Sequence, residues 1–363
     1  MSDVMTRKVN WLARHTDYEL HVVLTERPDL KPFYQLDERV QVVNLNIGFD
    51  RLDTLPLARK VLLYRRLMMQ YRRQLTAYLL ECRADVVVSA LRRDINFLCD
   101  VPDGSRKVGE LHFARSSYRV FCKPWLPQCA NRWITHRWQR GLIRQLKQLS
   151  AFVVLSHEDA QCWPELSNIH VIPNSIRQIP DHVAQPSSKR VIAAGRYTYQ
   201  KGFDLLLQAW QPIETTNSDW HLYVYGSGDS TPYRQQADEM QLQHVHLMPT
   251  VPDLQAEMLR GSVFAFSSRY EGFGLVLAEA MSCGLVPVSF ACPCGPRDII
   301  TDGVDGVLVP AADVVAFTDA LRRVMSDEAL RSTMAVKARQ SSVRYEEDAV
   351  MQLWLEIFAE SLP

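Results

Sequence analysis

The chain has 363 residues, enough to bury two ordinary cores, and its 47% hydrophobic and 23% charged residues are those of a globular protein. A formal net charge of zero argues against a nucleic-acid partner, and the sequence holds neither an apolar run long enough to span a bilayer nor a charged-then-apolar signal segment at its start. Eight cysteines without a CxxC pair (Cys82, Cys99, Cys122, Cys129, Cys162, Cys283, Cys292 and Cys294) read as free thiols of a reducing compartment, so a cytoplasmic protein is expected.

Along the chain, short β-rich runs alternate with longer helical patterns, which predicts parallel sheets covered by helices. ELHVVLT, VQVVNLN, DVVVSA, KVGELH and AFVVLS are the strand candidates of the first half. Between them ARKVLLYRRLMMQYRRQLTAYLL reads as a helix carrying Arg59, Lys60, Arg65, Arg66, Arg72 and Arg73 among Leu, Met and Tyr positions, and NRWITHRWQRGLIRQLKQL adds Trp133 and Trp138. Charge is unevenly spread: residues 1–180 hold 27 Lys+Arg against 18 Asp+Glu, and the remainder holds 14 against 23. Basic helices with interfacial aromatics suit an anionic membrane surface through 59–73 and 132–147; the alternative is an ordinary core-packing helix with a solvated basic face. SIRQIPDHVAQPSSKR, rich in Pro, Ser and polar residues, reads as a linker, with the boundary near 175–188. Strands RVIAAG, HLYVYG, VFAFSS, LVPVSF and GVLVP follow, interleaved with the helical patterns FDLLLQAW, YRQQADEMQL, VVAFTDALRRVM and EALRSTMAVKARQ.

Two doubly wound domains imply a cleft beyond the carboxyl ends of their strands, where the second half keeps its motifs. In EGFGLVLAE, Glu271 precedes the Gly272-Phe273-Gly274 turn and Glu279 lies about one turn into the helix that follows. Unpaired amides at such a helix start attract an anion, and a carboxylate on either side can accept hydrogen bonds from sugar hydroxyls, which together suit a nucleotide-sugar. The alternative is a helix start with two solvated acids. After RVIAAG, Gly195 relaxes the strand end, and Arg196 and Lys201 can converge on a diphosphate, the alternative being two exposed basic loop residues. Gly226 relaxes the end of HLYVYG on the same side and can admit a base, although many βα turns carry such glycines with no ligand. His112, at the end of KVGELH, faces the cleft as a donor or acceptor to a sugar hydroxyl, or is a satisfied structural histidine. With no D-x-D, no G-x-x-x-x-G-K-[ST] and no H-E-x-x-H in the sequence, no metal or cofactor is expected, and a leaving diphosphate would be neutralised by Arg196, Lys201 and a helix N-terminus.

Taken together, VIPNSI, AAGRYTYQKGFDLLLQAW, VYGSGDS, SSRYEGFGLVLAEAMSCGLVPVSF and GPRDIITDGVDGVLVP resemble the retaining GT-B glycosyltransferases of family 4, bacterial enzymes of surface-polysaccharide synthesis. The resemblance is specific over the second half and looser over DVVVSALRRDINFL, KVGELHFARSSYR and AFVVLSHEDAQCW. It implies an α/β GT-B fold with an acceptor-binding Rossmann-like domain over 1–178, a nucleotide-sugar-binding one over 179–345, and a C-terminal helix, 346–363, packing back on the first. It also implies a retaining hexosyltransferase that moves a sugar from a nucleotide-sugar, a UDP-sugar foremost, to a saccharide or lipid-linked acceptor at the inner membrane face. By the same resemblance Glu279 holds the ribose and Glu271 lies by the donor sugar. Gly272, Phe273, Gly274 and Leu275 hold sugar and diphosphate, Arg196 and Lys201 the diphosphate, and His112 lies near the transferred sugar.

One departure stands out. Family members start with an apolar strand and a glycine-rich loop, whereas MSDVMTRKVNWLARHTDYELHVVLT begins at the helix that should follow them. The first strand is therefore expected to be missing, with Met1 an internal methionine of a longer frame. The alternatives are a nucleotide-sugar-binding protein with weak or no catalysis, or a sugar-nucleotide epimerase of the same shape.

Overall fold

The computed structural model describes residues 3–25, 34–52, 55–115, 118 and 127–360; Cys122 and part of the HFARSSYR segment lie outside them. Its first half runs α1 (Asp3–His15), β1 (Leu20–Leu24), β2 (Val40–Asn44), α2 (Leu57–Cys82), β3 (Val86–Ser89), β4 (Arg106–Glu110), α3 (Gln128–Leu146), β5 (Ala151–Val154), α4 (His157–Gln161) and β6 (Ile169–Val171). The second half runs β7 (Arg190–Ala194), α5 (Phe203–Glu214), β8 (His221–Tyr225), α6 (Thr231–Glu239), β9 (Val245–Met248), α7 (Leu254–Met258), β10 (Val263–Phe266), α8 (Leu275–Ser282), β11 (Val286–Phe290), α9 (Pro296–Ile299), β12 (Val307–Val309), α10 (Val314–Ser326), α11 (Glu328–Ser342) and α12 (Glu347–Ala359).

In the second half six parallel strands form one sheet in the order β12-β11-β10-β7-β8-β9. β10 and β11 are buried throughout, as continuous apolar strands covered on both faces must be. One face carries Leu206, Trp210, Phe290 and Phe317; the other carries Phe264, Leu277, Met281 and Ile299. The chain reverses its direction of winding between β7 and β10, which is where such a sheet opens a ligand crevice.

The first half repeats this plan with a break in it. Its strands fall into two parallel sheets, β1-β2 and β3-β4-β5-β6. Leu20 of β1 and Val86 and Val88 of β3 pack on one cluster, built on Trp11, Val108, Val153 and Trp354. Val23 and Val87 pack on another, built on Phe49, Leu67, Tyr71 and Leu75. β1 and β3 thus lie between the same two apolar layers, yet no ladder joins them among the described residues. In the second sheet the equivalent place, between β8 and β10, is filled by β7.

Two long-range features bind the halves. Helix α12 delivers Val350, Met351, Trp354, Ile357 and Phe358 to the first half's core, and the indole of Trp11 donates to Asp348 at 2.6 Å. The linker stretch is no loose tether: Ile176 is fully buried, and the carbonyls of Gln178, Pro180 and Pro186 accept from Gln255, Arg339 and Arg331. Its polar composition reflects backbone groups satisfied by side chains rather than by a ladder.

Candidate functional site

A cleft of about 580 Å³ opens between the carboxyl ends of the two sets of strands. Glu271, His112, Arg196, Lys201, Glu279, Gly272, Phe273, Gly274, Gly195, Gly226 and Leu275 all line it. They reach it from the ends of β4, β7, β8 and β10 and the start of α8.

The loop after β7 and the loop after β10 flank the switch point and are tied to each other. Arg269 forms a two-pronged pair with Asp204, at 2.8 and 2.6 Å, and also donates to the carbonyl of Tyr199. Gln200 donates to the carbonyl of Tyr270 at 3.0 Å, and Ser267 to that of Lys201 at 2.9 Å. Across this frame Lys201 Nζ donates to Glu271 Oε1 at 2.6 Å, both side chains being largely buried. The acid that stands before the glycine turn is thus fixed by the lysine of the opposite loop. Arg196 is exposed at the cleft wall.

Gly274 caps α8 with φ 89°, a left-handed conformation that suits glycine, and no side chain caps the helix. The amide of Leu277 already turns back onto the Gly274 carbonyl at 2.8 Å, so the helix start offers the cleft the amides of its lining residues Leu275 and Val276. Gly272 meets a different constraint: a Cβ there would lie 2.5 Å from the carbonyl oxygen of His112, so the loops of the two halves touch at this point. The contact is reinforced nearby, where Asp298 accepts from the amides of His157 and Glu158 and Arg297 pairs with Glu158 at 2.6 Å.

Glu279 lies on α8, where burial pushes its carboxyl up to about 7 against the pull of Arg7 and Arg177. Arg7 comes from α1 and is anchored on Ser175, whose carbonyl it reaches at 2.9 Å. His112 stands two residues past β4 with its Nε2 buried, 3.5 Å from Glu110 Oε1.

Several lining residues were not found by sequence reasoning. Thr250 and Val251 follow β9, whose residues Val-His-Leu-Met form a half-polar edge strand without an apolar run. Asn174 lies within VIPNSI but had no chemistry of its own to mark it; Phe113 and Tyr270 are loop positions, and Gln200 lies in a single 3-10 turn, Tyr199–Lys201. Among the described residues no group of three or more His, Cys, Asp or Glu side chains is arranged to hold a metal ion, and no helix is long and apolar enough to cross a membrane. The seven described cysteines form no disulfide.

Residues 175–341 match the family described as glycosyl transferases group 1. Over 202 residues the chain is 31% identical to an amylovoran biosynthesis glycosyltransferase of Erwinia amylovora, covering 53% of this chain and 56% of that one. The chain spans between about a quarter and three fifths of the curated relatives it matches, 24% to 59% of their length. In three dimensions it superposes on sucrose-phosphate synthase of Thermosynechococcus elongatus with a TM-score of 0.77 at 17% identity, covering 98% of this chain and 92% of that one. It superposes on Anabaena HepE, solved in complex with UDP, with a TM-score of 0.70 at 15% identity, covering 99% and 96%. At such identities the structural likeness speaks for the fold alone. The chain thus has the GT-B fold, two Rossmann-like domains about one cleft, and its segment 175–341 matches the model of the glycosyl transferases of group 1.

Proposed function

We propose that this protein is a retaining hexosyltransferase of family 4. It would move a sugar from a nucleotide-sugar, a UDP-sugar foremost, to a saccharide or lipid-linked acceptor in the synthesis of bacterial surface polysaccharide. The observation that carries this is the convergence of eleven residues, read from separate motifs, on one cleft at the switch point. Relatives named as glycosyltransferases favour transfer over binding without catalysis.

In this scheme the diphosphate lies against the open amides of α8, with Arg196 and Lys201 supplying charge and no metal taking part. The ribose hydroxyls bind Glu279, and the base lies by Gly226. Glu271 is held by Lys201 and serves positioning and electrostatics. The acceptor attacks on the face the diphosphate leaves, through a short-lived oxocarbenium-like ion pair, with a diphosphate oxygen taking its proton. No protein nucleophile is required. The 1–178 part would serve the acceptor and 179–345 the donor, the protein working on the cytoplasmic side of a membrane.

Helix α2 supports the membrane part of the proposal. It buries Leu67, Tyr71, Leu75 and Leu79, while Leu62 and Met69 stay 70% and 67% exposed among Arg65, Arg66, Arg72 and Arg73. On α3, Trp133 and Trp138 are exposed as well. A face that is both basic and apolar suits an anionic bilayer surface.

The test is transfer and donor hydrolysis with UDP- and GDP-sugars, comparing wild type with Glu279→Ala and Lys201→Ala. Wild-type turnover abolished or severely reduced in both variants is expected. Full turnover and donor affinity in both would overturn the site.

A further inference from the structure

Behind the cleft histidine lies a chain of charges that the transfer scheme does not use. Glu110, the last residue of β4, is 1% exposed, an extreme burial for a carboxylate. Its Oε2 accepts from Lys8 Nζ of α1 at 2.5 Å, and Lys8 is itself buried, with its ammonium 3.5 Å over the ring of Trp354 of α12. The second carboxylate oxygen, Oε1, stands 3.5 Å from His112 Nε2, a buried ring nitrogen without a hydrogen-bond partner among the described residues. Burial would raise the Glu110 carboxyl, but Lys8 and His112 bring it down to about 2, so it is an anion at every working pH. A permanent anion can only accept, and the ring nitrogen beside it can satisfy it only as Nε2–H.

We propose that Glu110 is a positioning residue for His112: its carboxylate takes the Nε2–H of the ring, which leaves Nδ1 as the bare acceptor on the cleft side, while Lys8 is the buried countercharge. At 3.5 Å the two atoms stand at the long end of such a bond, and catalytic hydrogen bonds of this kind tighten only in the working complex. The consequence is chemical: His112 accepts a hydrogen bond from a hydroxyl of the bound sugar and does not donate one. Both ends of the chain take part, since Lys8 and Trp354 are the supports of a histidine in the middle of the first half. The consequence for turnover rests on the transferase proposal, and the hydrogen bond does not.

Nitrogen-15 NMR of the histidine-labelled protein, with the His112 signals assigned by their absence in His112→Ala, reads the tautomer directly. Wild type should show Nε2 protonated and Nδ1 bare. Glu110→Gln, which offers an amide in place of the anion, should shift the ring toward a mixture. The double variant K8M/E110Q fills the same volume with no buried charge, so it should show the same mixture whether or not the single variant folds well. With a UDP-sugar both should lose about tenfold to a hundredfold in kcat, as outer-shell partners of a working group do, with the donor KM changed less than about threefold. A wild-type ring protonated at Nδ1, or the same ring state in wild type and both variants, would overturn the proposal. A changed tautomer with unchanged kcat would uphold the hydrogen bond and instead remove His112 from the transfer scheme.

Discussion

The two halves of this molecule carry the same plan on sheets of unequal continuity. In the second, six strands form one unbroken parallel sheet, and the loops at its switch point are tied by Arg269, Gln200 and Ser267. In the first, β1-β2 and β3–β6 are separate, and what unites them is side-chain packing from the chain's two ends: Trp11 on α1, Trp354 and Phe358 on α12, and a bond from Arg106 to the carbonyl of Glu360. A continuous sheet fixes its loops through the backbone; a divided one must borrow order from helices at the two ends of the chain. The donor side of the cleft is therefore expected to be the rigid side, and His112 the side that depends on distant support.

The sharpest way to break this contrast is Trp354→Ala. Loss of a fully buried tryptophan in a core costs about 3–5 kcal/mol, and it also removes the ring under Lys8. Hydrogen exchange should quicken across β3–β5 while UDP affinity changes less than about threefold. Equal loosening of β7–β11, with UDP binding lost, would mean that the halves unfold as one unit.

Lys201→Ala strikes the rigid side. Removing one partner of a buried pair costs about 3–5 kcal/mol, because the other charge is left uncompensated, and Glu271 is that other charge. A fall of about a thousandfold in kcat/KM is expected, with hydrogen exchange in the first half unchanged. Turnover within about threefold of wild type would leave the Lys201–Glu271 pair with no part in transfer.

Between the two sides stands Gly272, where an added methyl would press on the His112 carbonyl. Gly272→Ala should cost about 1–3 kcal/mol of stability, because the backbone oxygen 2.5 Å from the new methyl must shift, and should lower kcat/KM by about a hundredfold, since small misplacements of reacting groups are that costly. A large drop in melting temperature with kcat/KM untouched would make the contact structural only.

Much of this arrangement could be read in the sequence, and the exceptions have physical causes. Strands β7, β8, β10 and β11 are apolar runs ending in glycine, small residues or a turn, so their ends, and Gly195, Gly226 and Glu271 on them, were visible. β9 and β6, with Val-His-Leu-Met and Ile-His-Val, are short edge strands whose sequence carries no comparable run, and Thr250 and Val251 went unseen with β9. The pairing of Lys201 with Glu271 and of Lys8 with Glu110 joins residues 70 and 102 positions apart, a matter of tertiary geometry that no local pattern encodes. Glu271 could be assigned a ligand from its motif but not the lysine that holds it, and Glu110 had neither.

Glu279 offers a subtler test, through pH. Burial raises its carboxyl from the usual carboxylate range to about 7, so the neutral form is favoured below that pH. Its contribution to folding is full below the unfolded pKa and is lost as pH rises through about 7. Nucleotide binding has the opposite sign, because the anion is the better acceptor for two ribose hydroxyls. UDP affinity should tighten as pH rises toward 7, by up to about tenfold per unit, and Glu279→Gln should flatten that part of the profile. Parallel profiles for the two proteins would take Glu279 out of the ribose contact.

The smallest effect on the fold, and the most selective on function, belongs to α2. Its buried stripe and its basic apolar face share one helix, so substitutions on the two faces should separate folding from docking. Leu67→Ala, in the core, should cost about 2–5 kcal/mol, whereas Leu62→Glu with Met69→Glu should stay within about 1 kcal/mol of wild type, as exposed sites do. The same double variant should lose most of its sedimentation with vesicles containing anionic lipid. Binding to neutral vesicles should be weak for both proteins, and added salt should reduce the wild-type signal, since screening acts on Arg65, Arg66, Arg72 and Arg73 but not on the inserted side chains. Vesicle binding by the double variant equal to wild type would return α2 to an ordinary helix with a solvated basic face.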